Sequence, residues 1–335
     1  MIVYKERMEI KEIKWGIIGV GDVTEVKSGP AFQKVEHSQL VAVMRRDAAK
    51  ARDYAERHHV PTWYSDAQQL IDDPRVNAIY VATPPDTHAY YAAAALKAGK
   101  PVYLEKPMTL DRLQAKELLH KQQACGGKLT VAHYRREQPY FKKVKELIDK
   151  HIGTPRVVNL RFYQQPLSAE TLQSPGMLWR LNPEQSGGGL FHDLAPHQID
   201  LMRHFFGNVV WSKGVAHNQA KLYAAADAVS GQILFENDVL FSGQWAFNVA
   251  ENHDVCEIIG SAGRISFSVF TYQPIELVNE HGVQHFDFEL LPHVQQPMIE
   301  AVVSYFRGLG PNPCSAQEGY EVMAILDNFV TPSCP

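Results

Sequence analysis

The sequence predicts an α/β protein of two domains, the first built on a doubly wound parallel sheet and the second on a mostly antiparallel one. Three observations predict it. From Ile13 to about Val131, short apolar runs alternate with helix-length segments, a texture that requires crossover helices and therefore parallel strands. After the helix Tyr140–Asp149 the period falls to two, as in antiparallel sheets. The chain has 335 residues, which at roughly 150 per domain gives two cores. We place the boundary after Val131, giving domains 1–131 and 132–335.

Taken in order, the first-domain strands are Lys14–Ile18, Gln39–Met44, Ala78–Val81, Val102–Leu104 and Lys128–Val131. Between them Asp47–His58, Thr87–Ala98 and Thr109–Ala124 repeat apolar residues at three and four positions and read as helices, with Thr87 and Thr109 as N-caps. The second-domain strands are Val157–Phe162, Gly231–Phe235, Val239–Trp245, Asp254–Ile259 and Arg264–Phe270. Gly260-Ser261-Ala262-Gly263 forms a tight turn, and Pro297–Arg307 and Gln317–Val330 are closing helices. No long linker separates the halves, so they are expected to pack firmly. The leader Met1–Glu9 and the tail Thr331–Pro335 carry no functional signal.

Charge and cysteine usage narrow the function. With 33 Lys+Arg against 37 Asp+Glu, the net charge of -4 offers no basic excess for a nucleic acid. Cys125, Cys256, Cys314 and Cys334 are widely spaced, which suits a reducing, cytoplasmic setting better than a disulfide framework or a zinc knuckle. No apolar run is long enough for a membrane span, and no signal peptide is expected. The expected partner is a small molecule.

Three motifs carry chemistry. Gly19-Val20-Gly21-Asp22-Val23-Thr24 follows the first strand, where glycines permit a tight turn and let a pyrophosphate approach backbone N–H groups. Thr24 stands where a third glycine is usual, and Pro30 interrupts the following helix. The second strand ends in Arg45-Arg46. A guanidinium there accommodates the 2′-phosphate of NADP, so NADP is the favoured cofactor, while Asp47 leaves NAD open.

The second motif is Thr83-Pro84-Pro85-Asp86-Thr87-His88 after the strand Ala78–Val81, with Glu105-Lys106-Pro107 after the next, both at carboxyl ends where α/β sheets bind ligands. A lysine there is positioned for proton transfer or for polarising a carbonyl. Third, Ser186-Gly187-Gly188-Gly189 leads into a segment, helical from about Leu190, in which Asp193, His197 and Asp200 share one face. Pro196 belongs near the first turn of such a helix. An imidazole held by carboxylates would exchange protons near neutral pH. Metal binding through His192, Asp193 and His197 is the rival, but the spacing fits no zinc template, and no metal is expected.

In this order, the glycine turn, Glu-Lys-Pro and GGGxxxDxxxHxxD resemble the glucose-fructose oxidoreductase / inositol dehydrogenase / rhizopine catabolism (Gfo/Idh/MocA) family over nearly the whole chain. The resemblance implies an N-terminal Rossmann domain and a C-terminal α/β domain with a large, mostly antiparallel open sheet, which often mediates a homodimer or homotetramer. It implies Lys106, Asp193 and His197 as catalytic residues and a Lys106–Pro107 bond that is often cis. Tyr134, Arg135, Trp179 and Arg180, with Asp193 and His197, would contact a sugar or polyol. Gly19, Gly21, Asp22, Val23, Arg45, Arg46, Thr83, Pro84, His88, Glu105 and Lys106 would hold the cofactor. Ala195 departs from the family's usual glycine. The expected activity is NAD(P)-dependent hydride transfer at a secondary alcohol or ketone. A glycosidase using transient hydride transfer and a non-catalytic NADP-binding sensor are the alternatives.

Overall fold

The structure, a computed structural model, describes residues 10–331. The leader 1–9 and residues 332–335, including Cys334, lie outside the described residues. The first sheet is six-stranded and wholly parallel: β1 (Ile13–Ile18), β2 (Ser38–Met44), β3 (Thr62–Tyr64), β4 (Ala78–Val81), β5 (Val102–Leu104) and β6 (Leu129–Val131), in the order β3-β2-β1-β4-β5-β6. The order reverses between β1 and β4, so their carboxyl ends open a crevice suited to a ligand. The edge strand β3 has three partly exposed residues and no apolar run, and was not predicted.

Local capping differs from expectation at two positions. Helix Arg112–Cys125 is capped by Asp111, whose carboxylate accepts from Gln114 N at 2.9 Å, rather than by Thr109, whose hydroxyl donates to Asp111 O. Thr87 sits at the N-cap of His88–Lys97, yet its hydroxyl donates to Thr83 and Pro84 instead of capping.

The second sheet has eight strands: β7 (Pro155–Tyr163), β8 (Val209–His217), β9 (Ala228–Phe235), β10 (Leu240–Ala246), β11 (His253–Gly260), β12 (Gly263–Phe267), β13 (Ile275–Asn279) and β14 (Gly282–Phe286). They run in the order β14-β13-β12-β11-β7-β10-β9-β8, with β7 and β10 the one parallel pair. Strands β8, β13 and β14 were not predicted; β14 is almost fully exposed, so it shows no apolar alternation to read. The run expected as Arg264–Phe270 leaves the sheet after Phe267. There the Asp254 carboxylate accepts from the backbone N of Val269, Phe270 and Thr271 at 3.0, 2.6 and 2.8 Å and turns the chain out.

The buried face of this sheet carries the helix Gly189–Phe206, fixed by Phe191 against Trp245 and by Trp245 Nε1 donating to Gln198 at 2.6 Å. Pro196 lies in its interior rather than in its first turn. The closing helices, Gln296–Arg307 and Ala316–Val330, return to the first sheet. Phe306 meets Trp15 with ring centroids 5.6 Å apart, and Val131 N donates to Cys314 O. One continuous apolar core spans both sheets.

Candidate active site

The dinucleotide turn is built from β1. Gly19 has φ +98°, and a Cβ there would stand 2.7 Å from Thr83 Cγ2 and 2.8 Å from Thr83 N, so glycine is required both for the backbone angle and for the approach of β1 to β4. A Cβ at Gly21 would meet nothing within 4 Å, so bare backbone faces open space beside the crevice. Thr24 closes the turn: its hydroxyl accepts from Gly21 N at 3.0 Å and donates to Gly21 O at 2.8 Å. The departure from a third glycine thus ties the start of the short helix Asp22–Val26, which stops before the 3-10 turn containing Pro30. Arg45 Nη1 donates to Val20 O at 3.0 Å, bringing its guanidinium beside the turn. Arg46 is exposed, and Asp47 is committed to capping helix Ala48–Arg57. A bare turn opening on free space with a guanidinium at its flank fits a dinucleotide.

At the neighbouring strand ends, two predicted cofactor residues face inward instead. His88 is fully buried, and its ring nitrogens meet Thr83 O at 2.7 Å and Pro107 O at 2.9 Å, so the side chain braces the loops after β4 and β5 against each other. Glu105 is also buried: Tyr80 and Gln295 donate to its Oε1 at 2.5 and 2.6 Å, and Lys106 N donates to its Oε2. Gln295 in turn accepts from Tyr103 at 2.9 Å. This network takes up both carboxylate oxygens and sets the backbone at Lys106, whose bond to Pro107 is cis. Thr83 and Pro84 remain half-exposed at the crevice.

Lys106 and the helix Gly189–Phe206 meet across the crevice. Lys106 Nζ donates to Asp193 Oδ1 at 2.8 Å and to Asp193 O at 2.9 Å, and Arg180 Nε stands 3.4 Å from Asp193 Oδ2. Burial pushes the Asp193 carboxyl up, but Lys106 and then Arg180 outweigh it and hold it below the ordinary carboxylate range. Arg180 also donates to Gly176 O and lies 4.5 Å over the half-buried Trp179 ring. Gly188 lets the helix start close-packed, because a Cβ there would overlap the His192 ring.

His197 lies one turn beyond Asp193, between Tyr134 and Phe270 with ring centroids 5.2 and 5.8 Å away. Its Nδ1 has no hydrogen-bond partner among the described residues. Burial, then the charges of Lys106 and Arg135, keep it neutral far below its usual titration range. The expectation that carboxylates hold this imidazole is corrected. Asp200, the expected partner, is instead bound through both oxygens by Arg136 at 2.6 and 2.8 Å, and the guanidinium's planar fork suits a carboxylate better than an imidazole does. His133, which the motifs did not flag, stands 3.8 Å from Asp200 with both ring nitrogens unpartnered, and burial pushes it down to about 4.

The structure therefore brings Lys106 and Arg180 onto Asp193, with Trp179 against Arg180 and Tyr134 against His197 one turn on, while Arg45 sits at the glycine turn. Arg135 lies across the Tyr134 and Phe270 rings from His197, while Glu105 and His88 support from below. Reading the sequence did not find Gln295, His133, Phe270 or Tyr272; the proline following Gln295-Gln296 was the one available signal, marking a helix start. Among the described residues no group of three or more His, Cys, Asp and Glu side chains is arranged to hold a metal.

The chain is similar to known proteins over nearly its whole length. Residues 13–133 match an oxidoreductase family with an NAD-binding Rossmann fold, GFO_IDH_MocA, and residues 141–266 match the GFO/IDH/MocA C-terminal domain. The chain is 46% identical over 318 residues to Oxidoreductase P35 of Formosa agariphila, covering 95% of this chain and 98% of that protein. It is 25% identical over 313 residues to 1,5-anhydro-D-fructose reductase of Ensifer adhaerens, covering 91% and 92%. A solved structure of levoglucosan dehydrogenase with NADH and levoglucosan superposes with a TM-score of 0.81 at 21% identity, covering 95% of this chain and 96% of that one.

Proposed function

The chain belongs to the GFO/IDH/MocA family of NAD-binding oxidoreductases, and from that membership we propose that it transfers hydride at a secondary alcohol or ketone of a sugar or polyol. The observation that carries the reading is the Lys106–Asp193 contact of 2.8 Å beside a neutral, unpartnered His197, at the crevice that the glycine turn flanks. Relatives named for 1,5-anhydro-D-fructose and levoglucosan support a sugar-like substrate.

Bound nicotinamide supplies the hydride acceptor or donor. The chain's own residues manage the proton and the oxygen. In oxidation His197 takes the hydroxyl proton while Lys106 Nζ, oriented by Asp193, stabilises charge developing on the substrate oxygen; in reduction the proton returns along the same path. Tyr134, Trp179 and Arg180 line the substrate side, and Thr83, Pro84 and the glycine turn line the cofactor side. Arg45 beside the turn and the exposed Arg46 favour NADP over NAD.

The three described cysteines are free, and no described helix is long and apolar enough to cross a membrane, which fits a cytoplasmic setting. Leu240, Val157 and Ile259 are cross-strand neighbours, 43%, 37% and 36% exposed, and form an apolar row on the outer sheet face suited to a homodimer or homotetramer.

Titrating the ligand-free protein with NADPH and NADH, then screening sugars and polyols for cofactor reduction, tests the reading. NADPH should bind more tightly and lose that advantage in the Arg45→Ala/Arg46→Ala double variant. Preference for NADH would overturn the arginine argument, and binding of neither would overturn the dehydrogenase reading.

A further inference from the structure

Across the Tyr134 and Phe270 rings from His197 lies a cation with no carboxylate partner among the described residues. Arg135 is only 6% exposed. Its guanidinium lies 4.6 Å over Phe270 and within 6 Å of the Tyr134, Tyr272 and Phe141 rings. Nη1 donates to Val269 O at 2.6 Å and to Tyr272 Oη at 3.0 Å, while Nε has no partner. No carboxylate ion-pairs with Arg135 among the described residues. Arg136, the next residue, has two, Asp200 and Glu318. Burying a charge without an opposite charge is costly, and aromatic faces offset only part of that cost.

The position of this cation narrows what would neutralise it. Tyr134 and Phe270 each face both Arg135 and His197, so the guanidinium and the imidazole are separated by one ring. Lys106 and Arg180 already share Asp193. The cofactor's pyrophosphate belongs at the glycine turn, and none of the Arg135 contacts comes from that turn; all come from residues 134–141 and 269–272.

We propose that the substrate is a carboxylate-bearing polyol, a sugar acid, whose carboxylate is bound by Arg135 several bonds away from the carbinol or ketone carbon presented to His197 and Lys106. Nε is unpartnered, and the planar fork of a guanidinium matches a carboxylate. The inference rests on the oxidoreductase reading above and adds the charge of the substrate to it.

The test uses the NADH-loaded protein titrated with sugar acids (D-glucuronate, D-galacturonate, D-gluconate) and with the matching neutral sugars and alditol, following bound-NADH fluorescence. D-glucose 6-phosphate is added to separate carboxylate recognition from general anion binding. At least one sugar acid should bind about ten- to a hundredfold more tightly than its neutral partner. Arg135→Gln should erase that preference and Arg135→Lys should restore part of it, with NADH affinity unchanged in both as the check on folding. The inference is overturned if no sugar acid binds, if the neutral compounds bind as well, if the preference survives in Arg135→Gln, or if the phosphate binds better than every carboxylate. Turnover on neutral sugars alone would leave the oxidoreductase reading standing, whereas failure to bind NADH or NADPH would remove that reading itself.

Discussion

Removing the lysine amine without disturbing its backbone is the sharpest test of the site, and Lys106→Ala does so, because Lys106 N can still donate to Glu105. The side chains of Lys106 and Asp193 are 12% and 25% exposed and 2.8 Å apart. At an effective dielectric constant near 20 their gross attraction is roughly 6 kcal/mol. Desolvation offsets most of it, and Asp193 keeps Arg180 at 3.4 Å. The stability cost should therefore be modest, about 1–3 kcal/mol. The catalytic cost should be larger: losing a preorganised donor to the developing oxyanion costs about 10²–10³ in turnover. Steady-state rates on the best substrate of the screen, followed by NAD(P)H absorbance, should fall by that factor, while cofactor affinity by fluorescence stays within about threefold, since the amine bonds to Asp193 and not to the glycine turn. Turnover within tenfold of the parent enzyme would refute the role given to Lys106.

Gly19→Ala should weaken NADH binding about tenfold or more and lower the melting temperature, because the new Cβ meets Thr83 N at 2.8 Å on a backbone held at φ +98°; fluorescence titration and thermal unfolding check both. Gln295→Ala removes a donor to Glu105 and the acceptor of Tyr103, and should cost about 1–3 kcal/mol in denaturant unfolding. Acid should destabilise the fold: burial pushes His133 and His192 down to about 4, so between that value and their ordinary value near 6.5 the unfolded chain binds more protons and stability falls as pH falls. Unfolding free energies measured from pH 7 to 4.5 should drop steadily, and a flat profile would contradict the burial of these imidazoles.

Legibility in the sequence followed burial. Ala78–Val81 and Val102–Leu104 were read to the residue because both faces of a central parallel strand are apolar. The edge strands β3, β8 and β14 escaped because exposed edges carry no such pattern. Lys106 was singled out by its strand-end position and Asp193 and His197 by their shared helix face, and the structure sets Lys106 against Asp193 because the helix Gly189–Phe206 meets that strand end. Gln295 was not, since it lies 190 residues from the Glu105 it supports and only the tertiary fold brings them together. His88 and Glu105 were assigned to the right loops with the wrong orientation: spacing gives the turn on which a residue sits, but not whether its polar atoms are claimed by buried neighbours, as Thr83 O, Pro107 O, Tyr80 and Gln295 claim theirs.

The electrostatics of the crevice tie substrate charge to proton transfer at His197. Burial lowers His197 first, and the Lys106 and Arg135 charges lower it further. An imidazole so placed stays neutral: it is free to accept a proton but is a weak base, and little of the imidazolium that reduction draws on is populated. A carboxylate docked on Arg135 would cancel one of those two charges one ring away from His197 and raise its basicity. A neutral polyol would leave the imidazole as it is. The bound sugar acid would thus supply part of the field that lets His197 accept its hydroxyl proton, making the anionic group contribute to the chemical step as well as to binding.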